Sequence, residues 1–200
     1  MVAEPSRGTH WTLEDYLEME CGSPIKHEFV GGYVYAMSGG SQRHSMLGVR
    51  IVRLLDEHLG GSSRRAFNSN MRVRLSSGLQ DHLYPDASVS CDERDLVDDA
   101  ALSIRYPCLI VEVLSPSTED YDQEGKFTLY RGCSTLEEYV LIATGAVRVE
   151  VHARAEDGEW ETRVYGPGSE VVLASVGLTF PIAELYAGTS LGSGVDPTGR

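Results

Sequence analysis

The sequence predicts a mixed α/β fold, a sheet with helices packed on it, from three observations. Residues Cys108 to Leu114 are almost continuously apolar, the pattern of a strand buried on both faces. Leu47, Ile51, Leu54 and Leu55 recur at helical spacing. Tyr33, Val34, Tyr35 and Ala36 alternate beyond a Gly31-Gly32 pair, as in a half-buried hairpin strand.

Each element has a local reason. Thr12 can cap a helix from Leu13 to Glu20, with Asp15 near the capping-box position. Lys26 to Ser38 reads as two strands about the glycine turn. Ser41 opens the second helix and Gly60-Gly61 ends it. Arg64 to Leu75 reads as strands, with Met71, Val73 and Leu75 on one face and Arg72 and Arg74 on the other. Asp81 to Cys91 holds the next strand, with Pro85 where a missing N–H is tolerated. Asp92 to Arg105 is an acidic helix or loop. Ser115-Pro116-Ser117 breaks the apolar strand, and Asp122 can cap a helix running to Arg131, with Gly132 beyond it. Segments 138–143, 147–154 and 160–165 read as further strands, and Pro181 to Tyr186 as a last helical turn.

At 200 residues the chain is expected to form one domain over 12–187, with a flexible lead at 1–11 and a Gly- and Ser-rich flexible tail at 188–200. Its 42% hydrophobic and 24% charged residues are those of an ordinary globule, which sets aside disordered and membrane classes. No run approaches the roughly 18 apolar residues of a bilayer span, and the N-terminus is too polar for a signal peptide, so a cytoplasmic location is expected. Cys21, Cys91, Cys108 and Cys133 lie far apart with no C-x-x-C, so neither a zinc site nor a disulfide framework is expected.

The net charge of −13 argues against broad nucleic-acid affinity. The charge is uneven, however. Arg43 to Arg74 carries seven basic residues and two acids, a local +5 that leaves −18 for the rest. Any nucleic-acid surface should therefore be local, and Arg50, Arg53, Arg72 and Arg74 are its candidates.

Glu112 sits in the middle of the apolar strand, where a charge is costly unless partnered. Asp86 follows Pro85 at the start of the preceding strand. Two acids on neighbouring strands, with Lys126 downstream, suit a divalent-metal site for phosphodiester hydrolysis. Lys26 and Lys126 are the chain's two lysines against fifteen arginines, so a compact amine at Lys126 stands out. Read singly, His44 is a core or helix-start histidine, Asp120 and Asp122 are helix-capping acids, and Tyr130 packs one turn past Lys126.

Pro-Asp followed by Glu-x-Lys on the next strand is the signature of the PD-(D/E)XK nuclease superfamily. Here Leu114 occupies the usual lysine position, and Lys126 lies 14 residues beyond Glu112 on the following helix. The segment at 28–37 followed by His44, then 84–86, the run Glu-Val-Leu-Ser-Pro-Ser-Thr-Glu at 112–119, Tyr121-Asp122, Lys126, Tyr130 and 137–141 together resemble the bacterial putative restriction endonuclease family. The resemblance covers about residues 12 to 155 and is most specific from Val111 to Tyr139. It implies a restriction endonuclease-like core, with a mixed central sheet flanked by helices. It implies that Asp86, Glu112 and the Val113 carbonyl hold Mg²⁺ or Mn²⁺, hard ions suited to oxygen ligands. It implies that Lys126 orients or deprotonates the attacking water or neutralises the transition state, that Glu28 is an acid near the site, and that the substrate is DNA. A homodimer is the expected assembly. The empty Leu114 position and the acidic net charge favour an alternative, a catalytically inactive nuclease-fold module that binds nucleic acid or protein. A hydrolase of small phosphate esters is a third reading.

Overall fold

In the computed structural model, residues 10–37, 39–75, 80–115 and 121–192 are described. Thr12 caps α1 (Leu13–Gly22), its hydroxyl oxygen accepting the Asp15 N–H at 3.2 Å. β1 (His27–Val30) and β2 (Tyr33–Ala36) form the expected hairpin. Both turn glycines hold positive φ, 59° and 84°, the pair of values that a two-residue hairpin loop demands. Ser41 caps α2 (Gln42–Leu59), and Gly60 follows it.

The expected strand region 64–75 divides into β3 (Arg65–Asn68) and β4 (Arg72–Arg74), which join different sheets. Then come β5 (His82–Leu83), β6 (Ala87–Ser90), a short α3 (Glu93–Leu96), β7 (Ser103–Ile104) and β8 (Pro107–Leu114). The helix expected over 122–131 is instead a wide π turn, Tyr121–Lys126, continued by α4 (Phe127–Tyr130). Asp122 therefore lies inside the turn rather than capping a helix. β9 (Glu138–Ala143), β10 (Val149–Arg154) and β11 (Trp160–Tyr165) follow as expected. β12 (Glu170–Leu173) and β13 (Leu178–Pro181) form a small hairpin that periodicity did not single out, and α5 (Ile182–Tyr186) closes the fold.

One sheet has the order β11-β10-β9-β8-β6-β3 and the other β2-β1-β5-β4-β7. The first is mixed: β8 runs parallel to β9 and antiparallel to β6. All eight residues of β8 are buried, as its apolar run predicts. One of its faces places Val111 and Val113 in a core with Leu47, Ile51 and Leu55 of α2. The other places Ile110 and Leu114 among Tyr130, Tyr139, Leu141, Val73 and Leu83. Glu112 shares this second face, which lies toward the other sheet.

The sulfurs of Cys91 and Cys108 are bonded, with Cα atoms 6.0 Å apart, against the expectation of no disulfide. An irregularity in the β6–β8 pairing at Val89/Ser90 offsets the ladder where these cysteines meet, and spacing along the chain carries no trace of that register. Of the expected lead and tail, 1–9 and 193–200 lie outside the described residues. Trp11 is tied to the hairpin by donating to the Gly32 carbonyl at 2.8 Å, and Thr189 Oγ1 donates to the Tyr186 carbonyl at 2.6 Å. Among the described residues no helix is long and apolar enough to cross a membrane.

Candidate active site

The segment Tyr84-Pro85-Asp86 carries the chain from β5 in one sheet to β6 in the other. Proline suits this crossing because neither ladder needs its N–H. Asp86 is the last residue before β6, where Ala87 pairs with Val111. One step further along that register sets Asp86 opposite Glu112, and residues so opposed share a face. Asp86 Oδ2 accepts the Val113 N–H at 2.7 Å, which pins the carboxylate to the strand that carries Glu112.

Lys126 reaches the same region from the end of the π turn. Its amine lies 3.1 Å from Glu28 Oε1, 3.2 Å from Glu112 Oε1 and 3.5 Å from Asp122 Oδ1. All four side chains are at most 8% exposed. β1 thus supplies Glu28, β8 Glu112 and the π turn both Asp122 and Lys126. Wide turns of this kind recur at functional sites. Glu28 Oε1 also accepts the Tyr84 N–H at 3.1 Å, which ties the β1 acid to the crossing segment. The Tyr139 hydroxyl donates to the Asp122 carbonyl at 2.7 Å and braces the π turn from β9.

Burial pushes the Glu112 carboxyl well above its ordinary range; Lys126 opposes that shift, while Asp122, Asp86 and Glu28 reinforce it. For Lys126, burial works against the charged form, but Glu112, Glu28 and Asp122 together outweigh it and hold the amine protonated. The amine is therefore a fixed cation, and the cluster has more carboxylate than one cation can balance.

His44, which read singly is a core or helix-start histidine, lies beside this cluster. Its Nε2 is 3.3 Å from Asp86 Oδ2. The hydrogen bond to Asp86 raises the imidazole pKa against the opposing effect of burial, with further help from Asp86, Asp122 and Val113. Gly40 lets the ring sit there: a Cβ on Gly40 would lie 2.7 Å from His44 Nδ1. His44 falls three residues after the Ser41 cap, so the first turn of α2 aims it at Asp86.

The donor set suits a hard divalent ion. Mg²⁺ needs only one or two carboxylates when water and phosphate oxygens complete its shell, and Asp86, Glu112 and the Val113 carbonyl are all oxygen donors. Among the described residues no group of three or more His, Cys, Asp or Glu side chains is arranged to hold a metal ion by itself.

The four arginines considered for nucleic acid do not form one exposed strip. Arg50 donates to the Glu184 carbonyl at 3.2 Å, and Arg53 bonds Glu57 at 2.7 Å and Glu184 at 2.8 Å on the surface of α2. Arg74 bonds the Gln80 side chain. Arg72 is only 8% exposed and donates to the Leu102 carbonyl at 3.3 Å, so it is withdrawn from any phosphate backbone. Alternation along the strand gives its face correctly, but that face is covered by α1, whose Tyr16 meets the guanidinium.

Comparison with known proteins agrees with this architecture. The chain aligns with an uncharacterized protein of Synechocystis sp. at 39% identity, over 88% of this chain and 90% of that protein. A second uncharacterized Synechocystis protein aligns at 32% identity, over 80% and 90%. The fold superposes on a structure from Anabaena variabilis described as a putative nuclease belonging to DUF820, with a TM-score of 0.72 and 20% identity, over 88% of this chain and 97% of that one. The family model for Uma2, "Putative restriction endonuclease", matches residues 13–183, and the chain belongs to that family.

Proposed function

We propose that the protein is a metal-dependent nuclease that hydrolyses phosphodiester bonds of DNA at the Asp86–Glu112–Lys126 site. One observation carries the reading: a buried amine lies 3.2 Å from Glu112 on β8, the strand whose next residue holds Asp86 through its N–H. Leu114 stands where the signature has its lysine, and Lys126 approaches Glu112 from the next element instead.

Asp86, Glu112 and the Val113 carbonyl would hold Mg²⁺ or Mn²⁺, and the ion would supply Lewis-acid stabilisation of charge growing on the phosphate. Lys126 orients or deprotonates the attacking water, or neutralises charge growing in the transition state. Glu28 anchors the amine on its far side, and its bond to the Tyr84 N–H keeps that anchor in register with Asp86. His44 positions Asp86. Arg50, Arg53 and Arg74 are the arginines left to meet the DNA backbone. Arg53 is engaged by surface carboxylates, which a phosphate could replace at small cost.

The test is incubation of duplex, single-stranded and structured DNA with Mg²⁺ or Mn²⁺. Wild type should cleave, and Asp86→Ala or Glu112→Ala should lower the rate by at least about 100-fold, the scale of removing a group that stabilises transition-state charge. Absence of cleavage by wild type on every substrate, together with calorimetry showing no Mn²⁺ binding that depends on Glu112, would instead make the protein a binding module of nuclease fold.

A further inference from the structure

We propose that β11 is the contact between two copies of this chain, paired antiparallel about a two-fold axis at Thr162. β11 is an edge strand, and among the described residues no strand pairs with its outer side. Edges are usually blunted by charged side chains, by proline, a bulge or a covering helix or loop. Trp160–Tyr165 contains no proline, its pairing to β10 runs without a register shift, and its two charges, Glu161 and Arg163, are of opposite sign, so they repel a foreign strand less than they complement a second copy.

The direction of its free backbone groups follows from the ladder. Ala155 N–H donates to the Glu159 carbonyl at 2.8 Å, so that pair is hydrogen-bonded. Bonded and non-bonded pairs alternate in an antiparallel ladder. Ala153–Glu161, Val151–Arg163 and Val149–Tyr165 are then bonded pairs, and Trp160, Thr162 and Val164 turn their N–H and C=O groups outward. A second copy running antiparallel and centred on Thr162 meets Thr162 with Thr162 and Trp160 with Val164. Every outward donor then faces an outward acceptor.

The side chains complement one another in the same register. Glu161 of each copy falls opposite Arg163 of the other, in the pairs without hydrogen bonds, where side chains approach most closely. Within one chain these two exposed residues are only loosely paired, at 3.8 Å, with side-chain exposures of 67% and 48%. On the other face Val164, 55% exposed, would pack against the partner's Trp160. Self-complementary charge about a two-fold axis is the mark of an isologous contact. The opposite edge, β3, carries Arg65 with no acid to meet it. The contact also touches the active-site helix, because Trp160 packs edge-on against Phe127 at 5.2 Å, and Phe127 follows Lys126.

Sedimentation equilibrium of the full chain tests the pairing. Wild type should dimerise in a concentration-dependent way. Arg163→Glu or Glu161→Arg, each placing like charges opposite one another in both cross pairs, should weaken the dimer at least about 10-fold. The double variant Glu161→Arg/Arg163→Glu should restore it. Thr162→Pro should also dissociate it while the thermal melt shows a folded chain, since the lost N–H faces outward. Wild type that stays monomeric at about 1 mM, the weak end of measurable association, overturns the proposal. So does a dimer indifferent to the single reversals, or a swap that fails to restore association.

Discussion

Removing the amine of Lys126 should destabilise the fold far more than removing an ordinary lysine. The structure places three carboxylates within 3.5 Å of that amine, all buried, from three separate segments. Lys126→Met keeps most of the apolar stem and deletes only the charge. Taking one partner from a buried ion pair costs roughly 3–5 kcal/mol, because the other charge stays behind without water. For a chain of this length about 1 kcal/mol moves the melting temperature by ~2–4 °C. Lys126→Met should therefore melt on the order of 6–20 °C below wild type at neutral pH.

The origin of the loss can be separated from packing. The cost comes from carboxylates that must stay charged or take up a proton, so acidification should relieve it, and the gap between wild type and variant should narrow as pH falls, beginning above the ordinary carboxylate range because Glu112 titrates above it. Glu112→Gln added to Lys126→Met should recover part of the stability, a coupling measurable in a double-mutant cycle. Urea unfolding at several pH values is the assay. A Lys126→Met variant within about 1 kcal/mol of wild type at neutral pH, or one whose deficit is the same at every pH, would refute the electrostatic account.

Three further outcomes follow from other parts of the molecule. His82 is buried, and burial, with Arg72, Arg74 and Arg105, lowers its pKa to about 4. An unfolded chain protonates it near 6.5, so its contribution is complete above about pH 6.5 and is lost as pH falls toward 4, by up to about 3 kcal/mol; His82→Leu should flatten that acid limb in pH-dependent denaturation. Gly40→Ala places a methyl 2.7 Å from the His44 ring, so it should cost about 1–3 kcal/mol and let the His44 pKa, read by NMR, fall toward its ordinary value. Arg72→Ala should lower stability by roughly 1–3 kcal/mol by stranding buried groups, while DNA affinity of the folded fraction stays unchanged in a filter-binding titration.

The parts of the site that could be read from the chain are those whose meaning is local. The apolar run around Glu112 announces a doubly buried strand, and alternation alone puts Glu112 and Leu114 on one face, as observed. The hairpin, the Ser41 cap and the period of α2 are equally local and reappear in the fold. What periodicity cannot carry is which element lies beside which, and the departures share that one cause. Arg72 lies on a face that Tyr16 of α1 meets, the strands within 64–75 serve two sheets, Cys91 and Cys108 meet through a ladder irregularity, and His44 meets Asp86 because α2 starts beside the crossing segment.

Asp122 shows how far the same reasoning extends. An acid four residues before a lysine ordinarily reads as an exposed helical pair of small value. Here that pair is buried between two sheets, because Tyr139 holds the Asp122 carbonyl and the π turn widens the backbone to bring Lys126 inward. A π turn leaves no pattern of side chains, since it changes the backbone ring size and not the residue types. Its signature is energetic: one amine serves acids from β1, β8 and its own turn, so loss of any one acid should be tolerated better than loss of the amine.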